Sequence, residues 1–263
     1  MSTVKEVLQK HGIETVTMQV LFGEGAETTY CLTTDGTSAI ELWQKLRGLV
    51  PESGYWPVVV GGPENLDEHL AALVGYKGKA TEAIIESSRN IDGQGWLRNA
   101  YEEDLYDSDE EEDSGSRGEW PAESEFEPGN RFTIPYKGQW LSSEQRMEYE
   151  PLPIVYIALV PTTASWQIPA YLKIGSWNYC PEPEEHCAVL RYWQERYGAE
   201  IVGLSYDTFE LQVAQPLENR EAALELAQEQ YGYCPDIVDQ GVATIEALAA
   251  TLLNGHVWFF WWD

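Results

Sequence analysis

Residues 184–214 read EEHCAVLRYWQERYGAEIVGLSYDTFELQVA, and this stretch decides the fold class. Val189, Leu190, Trp193 and Tyr197 recur at helical spacing along Glu184–Tyr197, and Gly198 follows as a terminator. Glu200–Ser205 and Thr208–Ala214 then read as two strands joined by Tyr206-Asp207, a connection of hairpin length, and Pro216 stops the second. Upstream, Ile154–Val160 is a continuous apolar strand. Downstream, Asn219 caps a helix to about Tyr231, a shorter helix covers Thr244–Leu253, and Val257–Trp262 closes as a strand. The order strand, helix, strand, strand, helix, extra helix, strand predicts an α+β fold: a ferredoxin-like, split βαβ sandwich with one additional helix. The stretch WQIPAYLKI at 166–174 could add a further strand to this order.

The first hundred residues read as a smaller mixed α/β half. Thr3–Lys10 has helical spacing, Thr15–Leu21 alternates with Val16, Met18 and Val20 on one face, and a second strand lies near Thr28–Thr34. Ser38 with Glu41 forms a capping-box pattern before a helix that buries Ile40, Trp43, Leu46 and Leu49; Pro51 and Gly54 end it. Tyr55–Val60 is a short buried strand, and Gly61-Gly62-Pro63 leads into a helix with Leu66, Leu70, Leu73 and Val74 inward. Two glycines before a helix can cradle an anion, but Asp67 and Glu68 in the first turn oppose one here.

Charge divides the chain. Its 263 residues hold 44 acidic and 16 basic side chains, a net −28. Thirteen of the acids lie in residues 102–127 against Arg117 alone, a net −12. Self-repulsion and few aliphatic residues predict a solvated linker over 101–128, between an N-terminal half at 1–100 and a C-terminal domain at 150–263. Both halves stay acidic without it, which excludes nucleic acid and anionic membrane surfaces as main partners, because neither half supplies a basic patch. The opening MSTVKEVLQK carries no export pattern, and no run reaches the roughly 18 apolar residues needed to span a bilayer. The expectation is a cytoplasmic chain in which Cys31, Cys180, Cys187 and Cys234 stay reduced.

Several spaced runs carry a resemblance. Tyr171–Ile174, Trp177-Asn178-Tyr179-Cys180-Pro181, Arg196–Glu200, Cys234-Pro235-Asp236-Ile237-Val238-Asp239-Gln240-Gly241 and Val257–Asp263 resemble the bacterial family catalogued as domain of unknown function 4253, over roughly residues 150–263. The resemblance implies a bacterial, cytoplasmic α+β protein with a tryptophan-rich final strand, and no particular activity.

Three constellations could carry chemistry. Cys180, His186 and Cys234 are the residue types that hold zinc, but Cys180-x5-His186-Cys187 is not a known ligand spacing and adjacent helical residues point about 100° apart. No metal or cofactor is expected. Cys180 ahead of a helix start, with His186 as base, is a candidate nucleophile, although Glu182, Glu184 and Glu185 around it oppose a thiolate; packing at a turn before proline is the plainer account. Asp236 and Asp239, with Asp263, could pair for acid–base work, or Asp239-Gln240 could cap the next helix or bond loop backbone. In the final strand Trp258, Phe260 and Trp262 alternate with Phe259 and Trp261, which fits a strand buried on both faces or an open aromatic platform.

With no recognised catalytic motif and many Trp and Tyr residues, the sequence points to a protein-binding module rather than an enzyme. Its concrete form is an immunity- or antitoxin-like inhibitor of a basic toxin, with Trp177, Asn178, Trp258, Phe260, Trp262 and Asp263 as candidate contacts. The alternative is a hydrolase or transferase using Cys180 and His186, or Asp236 and Asp239, at a site between the two halves.

Overall fold

The computed structural model describes residues 3–108, 118–122, 126–141 and 146–263. Nine strands are present among them: β1 (Gln19–Phe22), β2 (Thr29–Thr34), β3 (Trp56–Gly61), β4 (Tyr136–Leu141), β5 (Arg146–Pro151), β6 (Val155–Val160), β7 (Ala199–Leu204), β8 (Thr208–Val213) and β9 (Val257–Trp261). Seven form one mixed sheet in the order β1-β2-β6-β3-β7-β8-β9, so strands from before and after the acidic tract share a single sheet. β4 and β5 pair as a separate two-stranded sheet.

The α+β class matches the expectation; the strand order of a ferredoxin-like sandwich does not appear. That order would set the last strand of the C-terminal part beside the first. Instead β6 lies between β2 and β3, while β9 pairs with β8 and forms the opposite edge. The reason is β3, whose WPVVVG is buried at every position and therefore takes a central slot. It pairs antiparallel with β6 and parallel with β7, at Val59 opposite Gly203.

Both faces of the sheet are covered. On one, α1 (Val4–Lys10) and α2 (Ala39–Gly48) pack Val4, Leu8, Trp43 and Leu46 against Leu32, Val59, Ile157 and Val202. Short α3 (Val50–Ser53) follows, and Gly54 leaves it at φ 74°, a left-handed turn that glycine adopts without strain. On the other face lie α4 (Pro63–Gly75), α5 (Thr81–Arg89), α6 (Gly93–Ser108), α7 (Ile168–Leu172), α8 (Pro183–Tyr197), α9 (Arg220–Tyr233) and α10 (Ile245–Leu252). There Val58, Val60, Ile201 and Leu211 meet Val189, Trp193, Leu226 and Leu248. The final helices are capped as the sequence requires: Asn219 accepts from the Ala222 N–H and Thr244 from the Ala247 N–H.

Local expectations fail where tertiary contacts outweigh pattern. Val16 and Val20 are 92% and 60% exposed, because only Gln19–Phe22 pairs and it does so at the sheet edge. Ser38 does not cap α2; it is already helical, and the Asp35 carboxylate accepts the Thr37 and Ser38 N–H groups while Glu41 pairs with Lys45. On α4 the inward position falls to His69, and Val74 is 77% exposed. Residues 166–174 form a 3-10 turn and α7 rather than a strand, with Pro169 in the first helical turn. Within the acidic tract, residues 102–108 continue α6; residues 109–117 and 123–125 lie outside the described residues.

Candidate functional site

Three segments far apart in sequence meet at the end of β9: the loop 173–181 between α7 and α8, the turn 234–240 after α9, and residues 261–263. The loop is unusual in its backbone. Lys173, Gly175, Ser176 and Asn178 all have positive φ, of 55°, 113°, 72° and 45°. A left-handed conformation costs a non-glycine residue about 1–2 kcal/mol, so the surrounding contacts must hold it. They are visible: Ser176 N–H donates to Pro181 O, Cys180 N–H to Trp177 O, and Ser176 Oγ to Glu182 at 2.5 Å. The Asn178 amide donates to the main-chain oxygen of Asp263 at 2.6 Å, and the Asp263 N–H donates to Asp236 Oδ2 at 3.0 Å.

Beneath this loop lies the Cys180–His186 pair. Its sulfur is 3.4 Å from His186 Nε2, and His186 Nδ1 is 2.5 Å from the Tyr233 hydroxyl, a partner the sequence reading missed although it directly precedes Cys234. Neutral imidazole has one donor and one acceptor, so the chain runs either from Tyr233 O–H through the ring to sulfur, or from the thiol through the ring to the phenol oxygen. Phe209, Tyr233 and Trp262 enclose the ring at centroid distances of 5.0, 5.4 and 5.5 Å. Burial drives the imidazole down to about 3 and pushes the Cys180 thiol well above its ordinary range, with Cys234, Glu182 and Asp207 adding to the rise. Both groups are neutral at pH 7. The arrangement has the geometry of a nucleophile, a base and an orienting phenol, held in its protonated, sealed form.

Cys234 points elsewhere: its thiol donates to Trp261 O at 2.9 Å and locks the turn to β9. Cys187 is buried with its pKa pushed up to about 12, chiefly by desolvation, and Cys31 is buried at β2. Among the described residues, no group of three or more His, Cys, Asp or Glu side chains is placed to hold a metal ion.

The carboxylates separate. Asp236 and Asp263 come together through the main chain, as above, and Gln240 Nε2 donates to Asp236 Oδ1. Asp239 instead accepts from the Tyr231 hydroxyl at 3.2 Å, so Asp236 and Asp239 answer to different partners. The wide π-type turn at Ile237–Val242 produces this divergence, and Thr244, not Asp239, caps α10.

Trp258, Phe260 and Trp262 are 2%, 0% and 1% exposed, and they interlock with Trp193, Tyr197 and Tyr233. They are core rather than a platform; edge-to-face pairs of this kind add about 0.5–1.5 kcal/mol each beyond burial. Trp177 behaves differently. Half-buried, it stacks on Tyr206 at 5.0 Å with planes 11° apart, and beside the pair opens a cleft of about 250 Å³. Tyr206 had read only as a hairpin residue; no periodicity marks a ring that stacks across two loops. Tyr179 stands 82% exposed beside them.

Among the described residues, no helix is long and apolar enough to cross a membrane. Comparison with curated proteins and with solved structures finds no match. The C-terminal part, residues 156–263, which supplies the loop, the buried Cys180–His186–Tyr233 chain and the final strand, matches the family model described as Domain of unknown function (DUF4253).

Proposed function

We propose that this chain is a cytoplasmic protein-binding module that recognises a basic protein, in its concrete form an immunity- or antitoxin-like inhibitor that covers a basic toxin. The observation that carries this reading is the charge of the C-terminal part. Residues 174–263 hold fifteen acidic side chains and three basic ones, Arg191, Arg196 and Arg220. All three are engaged. Arg191 donates to Ser88 O and Ile91 O, Arg196 donates to the Tyr192 hydroxyl and lies over Tyr197, and Arg220 lies over Trp120. A surface of this kind steers cationic partners and makes their association salt-dependent. The test is a pull-down with the full chain, followed by titration of the purified partner between roughly 0.05 and 0.3 M salt, where a charge-steered complex weakens steeply. A basic partner with that dependence supports the reading. Recovery of no stable partner, or of an acidic one with salt-insensitive affinity, overturns it.

One observation favours a second reading, a cysteine-dependent hydrolase or transferase: the 3.4 Å contact between Cys180 and His186 with Tyr233 behind it. Thiol labelling of the native chain separates the two. A Cys180 that reacts at neutral pH faster than free cysteine favours the enzyme; labelling only on unfolding favours the binding module.

A further inference from the structure

We propose that the basic partner docks on the face formed by residues 175–179 and Tyr206, and that this face recognises an arginine or lysine side chain on an extended protein segment. This deepens the basic-partner reading and rests on it. Tyr179 is 82% exposed although the loop that carries it is anchored on both sides. Next to it the Trp177–Tyr206 stack walls the 250 Å³ cleft together with Tyr76, Lys173, Gly175 and Ser176. Aromatic faces attract cations, and guanidinium groups stack on them.

The charges around the rings select the same occupant. Glu182 holds Ser176, Asp263 receives Asn178, Asp236 receives Asp263, and Asp207 follows Tyr206 in the chain. One cation, Lys173, lines the cleft and lies over the Tyr76 ring at 5.6 Å, and a second, Lys79, lies close by; both are engaged. Lys79 pairs with Glu184, and Lys173 donates to Thr81 Oγ1 at 3.0 Å. A cation arriving at residues 176–179 therefore meets ring faces with Glu182, Asp236 and Asp263 beside them, whereas the Tyr76 side of the cleft is already occupied by Lys173. An anionic segment meets the reverse, which disfavours acidic peptides and nucleic acid.

The experiment titrates the full chain, at physiological ionic strength, with a short arginine–glycine repeat peptide and with its citrulline counterpart, which keeps the shape and removes the charge. Calorimetry gives the affinity and amide NMR shifts give the place. The expected result is binding of the arginine peptide at least about tenfold tighter than the citrulline peptide, with shifts centred on 175–179, 206–207, 236 and 263. Tyr179→Ala and Asp263→Asn should each weaken it roughly three- to tenfold. Tyr179 is largely in water, and the contacts of Asp263 described above use its main chain, so both variants should fold. Binding unchanged by either variant, with shifts confined to residues 102–127, overturns this docking face and leaves the basic-partner reading standing. Equal affinity for the two peptides, or none for either, overturns the face as a cation site; the pull-down and its salt dependence then decide the broader reading separately.

Discussion

Asn178 donates its side-chain amide to the main-chain oxygen of Asp263 at 2.6 Å, joining a left-handed loop residue to the end of the last strand. The bond and the backbone conformation are separable. Asn178→Gly removes the bond and keeps φ 45° unstrained, so about 1 kcal/mol of stability should be lost. Asn178→Ala removes the bond and adds the left-handed penalty, for a loss of about 2–3 kcal/mol. Urea unfolding of the two variants measures the difference. Equal losses would show that the loop relaxes to another backbone and is not held as described.

Gly175 should tolerate nothing larger. A Cβ there would lie 2.0 Å from Pro181 O and 3.1 Å from His186 Cδ2, at a φ of 113°. Gly175→Ala is expected to destabilise by about 3 kcal/mol or more and to disturb the His186 environment beneath. Gly12→Ala, at φ 72° with open space around it, should lose only about 1 kcal/mol. Melting curves and the His186 ring signals in NMR check this. A small effect at Gly175 with His186 unmoved would refute the close packing of loop on imidazole.

What the sequence made legible follows from where local forces dominate. The helix at 183–197 with Gly198 behind it, the cap at Asn219, and the apolar strands β3 and β6 are local statements, and they read correctly. Sheet order is not local. Nothing in the composition of β6 says that β3, almost a hundred residues earlier, takes the place beside it. The site divides in the same way: Cys180 and His186 lie six residues apart around a helix start and were legible as a pair, whereas Tyr233 and Tyr206 reach them or their loop only through tertiary packing. The turn at 237–242 separated Asp236 from Asp239 by a π-type geometry that a three-residue spacing does not reveal.

Acid should weaken the fold through two histidines. Burial lowers His69 to about 4 and His186 to about 3, so each stays neutral when folded but takes a proton near pH 6.5 when unfolded. The unfolded chain then binds more protons, and stability, complete above about pH 6.5, falls with pH by about 1.4 kcal/mol per unit for each histidine until the folded values are reached. Among the described residues neither ring nitrogen of His69 has a hydrogen-bond partner, so His69→Leu should leave stability at pH 7.5 unchanged or raise it by about 1 kcal/mol. It should also reduce the slope between pH 6 and 5 by about one proton. Urea unfolding at several pH values reads both effects. An unaltered slope in the variant would mean that His69 already carries a proton in the fold.

Glu210 should hold the base of the β4–β5 hairpin. It is 1% exposed on β8, and one carboxylate accepts from the Thr133 N–H, the Thr133 hydroxyl at 2.6 Å and the Ile134 N–H at 3.3 Å. Burial raises its pKa, and these three donors work against the rise. The same corner is tight, since a Cβ on Gly203 would come within 2.7 Å of Ile134 Cδ1. Glu210→Ala strands three donors at once and should destabilise by about 3 kcal/mol; Glu210→Gln keeps one acceptor oxygen and should lose about half as much. Because residues 131–135 join the hairpin to the main sheet through this carboxylate, the loss should be local before it is global. Amide exchange in residues 131–141 and 146–151 should therefore speed up in Glu210→Ala while β3 and β6 keep their protection. A uniform loss of protection across the sheet would show instead that Glu210 supports β8 itself.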